Sequence, residues 1–137
     1  MSSLPPFPLR KDVREHLDAV GMEFLRTFLS RELERRPDNL AALAELAHVL
    51  TRLGRFEEGL ATDRRLAELA PDNPTFQYNL ACSLALVGDV EPALGALERA
   101  VELGYDDPEH LVADEDLAVL RDELRFQDLV RTLRTGA

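Results

Sequence analysis

The side chains with chemistry to offer are few: His16, His48 and His110, the single cysteine Cys82, and an acidic run of Asp106, Asp107, Asp114, Glu115 and Asp116. Two imidazoles on one helix share a metal ion when they stand about four residues apart on one face, and these three histidines are scattered instead. The acids lack the alternating order and central glycine of a calcium loop, and helix capping accounts for most of them. A Cys82 thiolate beside a His48 imidazolium is the one route to covalent catalysis, should two helices bring them together. No third residue to orient such a pair is apparent, and no glycine-rich phosphate loop occurs. The expectation is neither an enzyme nor a holder of metal or cofactor. With one cysteine there is no internal disulfide, and the redox compartment is left open.

Chemistry of so few groups depends on the elements that carry them, and the bulk composition bounds those. At 137 residues, 45% hydrophobic and 31% charged, the chain has enough apolar surface for one folded domain. The net charge of −10 is unevenly placed, with residues 1–39 balanced at seven acids and seven bases and residues 74–107 holding six acids against one base. An acidic field of this kind repels phosphate backbones and anionic lipid. Nucleic acid and membrane surfaces are therefore poor partners, and a protein with a neutral or basic surface is favoured. No stretch reads as a membrane span, and Pro5, Pro6 and Pro8 break any helix that a signal peptide would need, so a cytoplasmic location is expected.

The strongest pattern is a repeat. Pro37-Asp38-Asn39 recurs as Pro71-Asp72-Asn73, and Leu46, Ala47 and Leu50 recur as Leu80, Ala81 and Leu84, each thirty-four residues later. Residues 40–73 laid over 74–107 without a gap agree at ten positions, among them Gly54 with Gly88 and Arg65 with Arg99. A fixed period of this length marks stacked helical hairpins, since one hairpin cannot bury its apolar face alone. The spacing predicts helices over about 40–53, 56–69, 74–87 and 90–103, with turns at Gly54 and Gly88 where positive φ is tolerated. Asn73 reads as an N-cap and Pro74 as a first-turn residue. Leu43, Leu46, Ala47 and Leu50, then Phe76, Leu80, Ala81, Leu84 and Val87, form the expected core faces.

The ends depart from the period. Residues 1–8 read as a flexible proline-rich tail. Residues 9–39 read as a degenerate hairpin broken near Gly21, with Leu9, Val13 and Leu17 on a thin first face and Met22, Leu25, Phe28/Leu29 and Leu33 on the second. One continuous bent helix is the competing reading. Beyond Gly104, Asp114, Glu115 and Asp116 fall where a further repeat would place core residues. Residues 108–137 are thus expected to form capping helices, over about 116–121 and 125–134.

With Leu46, Ala47, Leu50, Gly54, Phe56, Leu60 and Pro71 in one unit and Leu80, Ala81, Leu84, Gly88, Ala93 and Ala100 in the next, residues 40–107 resemble two tandem tetratricopeptide repeats. The usual first-helix tryptophan is absent, Gly59 replaces an alanine, and Tyr105 stands where proline closes the repeat. The segment from Gly104 through Asp116-Leu117 to Arg125-Phe126 resembles the end of many bacterial arrays of this kind. The resemblance implies an all-α fold, a right-handed α-solenoid of antiparallel helix pairs with N- and C-terminal capping helices. It also implies a concave groove that holds a peptide or helix of a partner protein. The groove would show Ala41, Ala44, Glu45, His48 and Arg52 from the first unit and Thr75, Tyr78, Asn79, Cys82 and Leu86 from the second. Tyr78 would be the aromatic anchor, and Asn79 matches the asparagine that bonds a bound main chain in many members. Ala44, Glu109 and Ala113 stand where a clamp for a terminal carboxylate needs basic residues, so that ligand is not expected. The alternative is self-assembly through an exposed helix face in residues 9–35, giving anything from a monomer to a weak homo-oligomer.

Overall fold

The computed structural model describes residues 10–136, and all of its regular structure is helical. Seven α-helices follow in order: α1 Lys11–Arg35, α2 Leu40–Arg52, α3 Phe56–Leu69, α4 Pro74–Leu86, α5 Val90–Glu102, α6 Pro108–Ala113 and α7 Leu124–Thr135, with a 3-10 segment, Glu115–Leu120, between the last two. Each helix from α1 to α4 packs on the next, and α4 and α5 also receive the 3-10 segment. Among the described residues no helix is long and apolar enough to cross a membrane. The proline-rich residues 1–8, and Leu9, lie outside the described residues.

The period written in the sequence is the period of the helices. Asn39 accepts a hydrogen bond from the Ala42 amide at the head of α2, Asn73 from the Phe76 amide at the head of α4, and Asp107 from the His110 amide at the head of α6. Short polar side chains at these positions satisfy amides that the first helical turn leaves without partners. Gly54, Gly88 and Gly104 have φ of +75°, +85° and +115°, the left-handed region that ends a helix. At each, the next amide reaches back to a helix carbonyl, Arg55 to Leu50, Asp89 to Leu84 and Tyr105 to Ala100, at 2.8–3.0 Å. Arg65 bonds Asp38, and Arg99 bonds Asp72, so one pair of side chains links the same places in successive units. Both pairs are exposed and contribute at most about 1 kcal/mol each.

This regularity runs further than the sequence reading placed it. α6 begins at Pro108 and α7 at Leu124, the positions that continue the starts of α4 and α5 by the same period. The C-terminal segment is therefore a third unit in phase, with its first helix cut short. The interruption is at Asp114, whose backbone is extended and whose side chain accepts from the Asp116 amide, opening the 3-10 segment in place of a continued helix. Leu111, Leu117 and Leu120 are wholly buried, and Phe126 and Val130 nearly so, which closes the apolar end of the stack.

The N-terminal expectation of a break at Gly21 is not met: α1 is continuous over 25 residues. A glycine inside a helix costs only about 1 kcal/mol, too little to force a turn without a capping group. Met22, Leu25, Leu29 and Leu33 do pack on α2. Val13 and Leu17, expected on a first face, are exposed, as are Val20, Phe24 and Phe28. Within the repeats, Ala47, Leu50, Ala81 and Leu84 are buried as expected, whereas Leu46, Phe76, Leu80 and Val87 are only half-buried. The fully enclosed positions fall largely elsewhere, at Val49, Leu66, Leu94 and Leu97, where a side chain is held between successive helices.

Candidate functional site

A cavity of about 350 Å³ opens between α2, α4 and the segment that joins α6 to the 3-10 turn. α2 contributes Ala44, Ala47, His48 and Thr51, α3 contributes Asp63, and α4 contributes Tyr78, Asn79, Cys82, Ser83 and Leu86. His110, Asp114 and Asp116 complete the wall. The spacing of 78, 79, 82, 83 and 86 is one helical face, so the α4 residues meet here because of the 3.6-residue turn.

Six residues expected in the groove line this cavity: Ala44, His48, Tyr78, Asn79, Cys82 and Leu86. Glu45, Arg52 and Thr75 do not line it and are exposed, as is Ala41. Arg52 faces a separate depression with Glu15, Asp18 and Met22 of α1.

Tyr78, expected as the aromatic anchor for a partner, is held within the protein. It is 6% exposed, its ring stacks on Tyr105 at 4.6 Å between centroids, and its O–H donates to Asp114 Oδ2 at 2.5 Å. The side chain is committed to holding the C-terminal segment on α4. The same Asp114 oxygen accepts from the Cys82 thiol at 3.7 Å, and His110 Nε2 lies 3.7 Å from it. Asp114 is therefore the hub of the site. The sequence carried a sign of this in Tyr78 and Cys82, one turn apart on one face, and in a carboxylate where the period calls for a leucine.

The electrostatics of the cavity are those of crowded negative charge. Burial, reinforced by the carboxylates of Asp114 and Asp116, pushes the Cys82 thiol well above its ordinary range. Asp116 is raised by burial and by Asp114, with His48 acting the other way. Asp63 is 4% exposed, and burial pushes its carboxyl up to about 6 against the opposing hydrogen bond from Ser83. Asp63 Oδ2 accepts that short bond from the Ser83 hydroxyl, while Oδ1 has no partner. Burial also lifts the Tyr78 hydroxyl, and that of Tyr105 to about 12. His48 and Cys82 do share the cavity, but a thiol kept protonated by its surroundings is the reverse of an activated nucleophile.

The chain matches no family model and no curated protein. The functional reading rests on its own residues.

Proposed function

We propose that this chain is a small tetratricopeptide-type adaptor that holds a peptide or helix of a partner protein against the concave face made by α2 and α4. On this reading the helices form a right-handed solenoid of antiparallel pairs with capped ends, working in the cytoplasm, and the protein has no catalytic role. The observation that carries the proposal is the cavity between the first helices of successive units, where six of the residues assigned to a groove by the repeat register come together. Extended peptides and helices bind such faces through a few side chains set in pockets while the surrounding helix surface gives register. His48 and the half-buried Asn79 are the polar contacts within reach, and the amide of Asn79 offers a main chain both donor and acceptor. Three carboxylates line the cavity, and with the overall charge of −10 they favour a neutral or basic partner.

The test is capture from source lysate on immobilised wild type and on a His48→Ala/Asn79→Ala variant, with thermal melting to show that the variant is folded. A protein kept by the wild type and lost by the variant supports the concave face. Equal recovery on both removes the binding surface from it.

A second reading has one observation in its favour. Val13, Leu17, Val20, Phe24 and Phe28 succeed one another at helical spacing on α1, and Phe24 and Phe28 are 75% and 61% exposed. An apolar stripe of this kind suits association with a second copy. Light scattering separates the readings, since self-association gives a mass above 15.4 kDa that rises with concentration and falls in Phe24→Asp.

A further inference from the structure

We propose that the cap end of the cavity is a binding site for a divalent transition-metal cation of the zinc class, held by Cys82, Asp114 and Asp116 with an imidazole from His110 or His48. The inference does not rest on the partner reading, and either can fail alone.

Three groups of unlike softness converge here from two parts of the chain. Cys82 Sγ and one oxygen each from Asp114 and Asp116 lie within 4.8 Å of one another. A tetrahedral zinc ion, with bonds of about 2.3 Å to sulfur and 2.0 Å to oxygen, needs its sulfur and oxygen ligands roughly 3.5 Å apart. Cys82 Sγ and Asp114 Oδ2 are 3.7 Å apart, close to that separation, with the thiol donating its hydrogen to the carboxylate. Entry of the cation replaces that hydrogen, and one proton leaves to solvent. His110 Nε2 is 3.7 Å from the same oxygen, and His48 lines the same cavity.

The surroundings have the form of an outer shell. The Tyr78 hydroxyl donates to Asp114 Oδ2 and the Asp116 amide to Asp114 Oδ1, fixing the orientation of that carboxylate as ligating carboxylates are commonly fixed. A second observation stands apart from the cluster. Asp63, 96% buried by its 4% exposure, lines the same cavity with Oδ1 unpartnered. No lysine or arginine is among the described residues that line the cavity, and its basic side chains are His48 and His110. Magnesium and calcium prefer all-oxygen sites, and the combination of thiolate, imidazole and carboxylate selects the zinc class.

The test is titration of the full chain, stripped of metal by chelator, with cobalt(II) followed by absorption. The expected result is uptake of one cobalt per chain with a thiolate-to-cobalt charge-transfer band. That band should be discharged by zinc, absent in Cys82→Ser, and require at least tenfold more cobalt in Asp116→Asn. Wild type without the band, or with a band that survives in Cys82→Ser, overturns the assignment, whatever the variants do to folding. A further overturning result is a wild type that binds neither ion while arginine methyl ester shifts the amide resonances of His48 and Cys82. The cavity would then take a basic side chain of a partner.

Discussion

Replacing Asp63 by asparagine is expected to stabilise the protein at neutral pH, although it alters a buried, hydrogen-bonded side chain. Burial lifts the Asp63 carboxyl from its ordinary 3.8 to about 6, so the folded chain holds the proton more tightly than the unfolded chain does. Between those two values the native state binds more protons, and stability falls as pH rises. Above about pH 6 the whole cost is present. At 1.36 kcal/mol per pH unit, a difference of about two units is about 3 kcal/mol. Asparagine can still accept from the Ser83 hydroxyl, but it puts an amide N–H where Oδ1 now lacks a partner, at a cost of roughly 1–2 kcal/mol. The net gain is then about 1–2 kcal/mol at pH 7, or roughly 3–10 °C in Tm for a chain of this size. Urea unfolding followed by helix circular dichroism, in chelator, from pH 4 to pH 8, gives the difference between variant and wild type. That difference should favour the variant at pH 7 and disappear or reverse near pH 4. A difference that does not change with pH would refute the reasoning, because an effect of packing alone carries no proton.

Leu97→Ala, at a wholly buried site, should cost about 2–5 kcal/mol in urea unfolding, and Leu46→Ala and Leu80→Ala should fall at or below the low end of that range because both side chains are half-buried. Tyr78→Phe removes the donor to Asp114 and should lower stability by about 1–3 kcal/mol, with faster amide exchange across residues 110–120 than across α2. Gly88→Ala, at φ +85° and with open space around it, should cost about 1–2 kcal/mol from backbone strain alone, whereas Gly21→Ala inside α1 should stabilise by up to about 1 kcal/mol.

The helices of the two central units were legible because local signals agree: an asparagine before the first helix of each unit, a glycine that ends that helix, and apolar residues at helical spacing. Asn73 caps where expected, Asn39 caps the equivalent position, and Gly54 and Gly88 turn where expected. The C-terminal unit was harder to read because Asp107 replaces asparagine at the cap and Asp114 replaces a leucine, so its phase survives in the positions and not in the residue types. Gly21 misled because its local preference is weak and the packing of α1 on α2 outweighs it. For the site, periodicity identified the face of α4 that carries Tyr78, Asn79 and Cys82. It did not place the return of the chain thirty-six residues later to cover Tyr78 with Asp114, whose one sign was a carboxylate where the period calls for a leucine. Asp63 was missed for a related reason: on α3 it reads as a surface acid, and only the approach of Ser83 makes it a buried one.

Partner binding on the concave face is tested most directly by photocrosslinking in the source cells, with a benzophenone side chain placed at His48 beside the cavity, at Gly95 on the exposed side of α5, or at Phe24 on α1. The account predicts a discrete adduct to another protein from position 48 and none from position 95. Adducts from position 95 alone, or from position 24 to a second copy of this chain with nothing from 48, would contradict it.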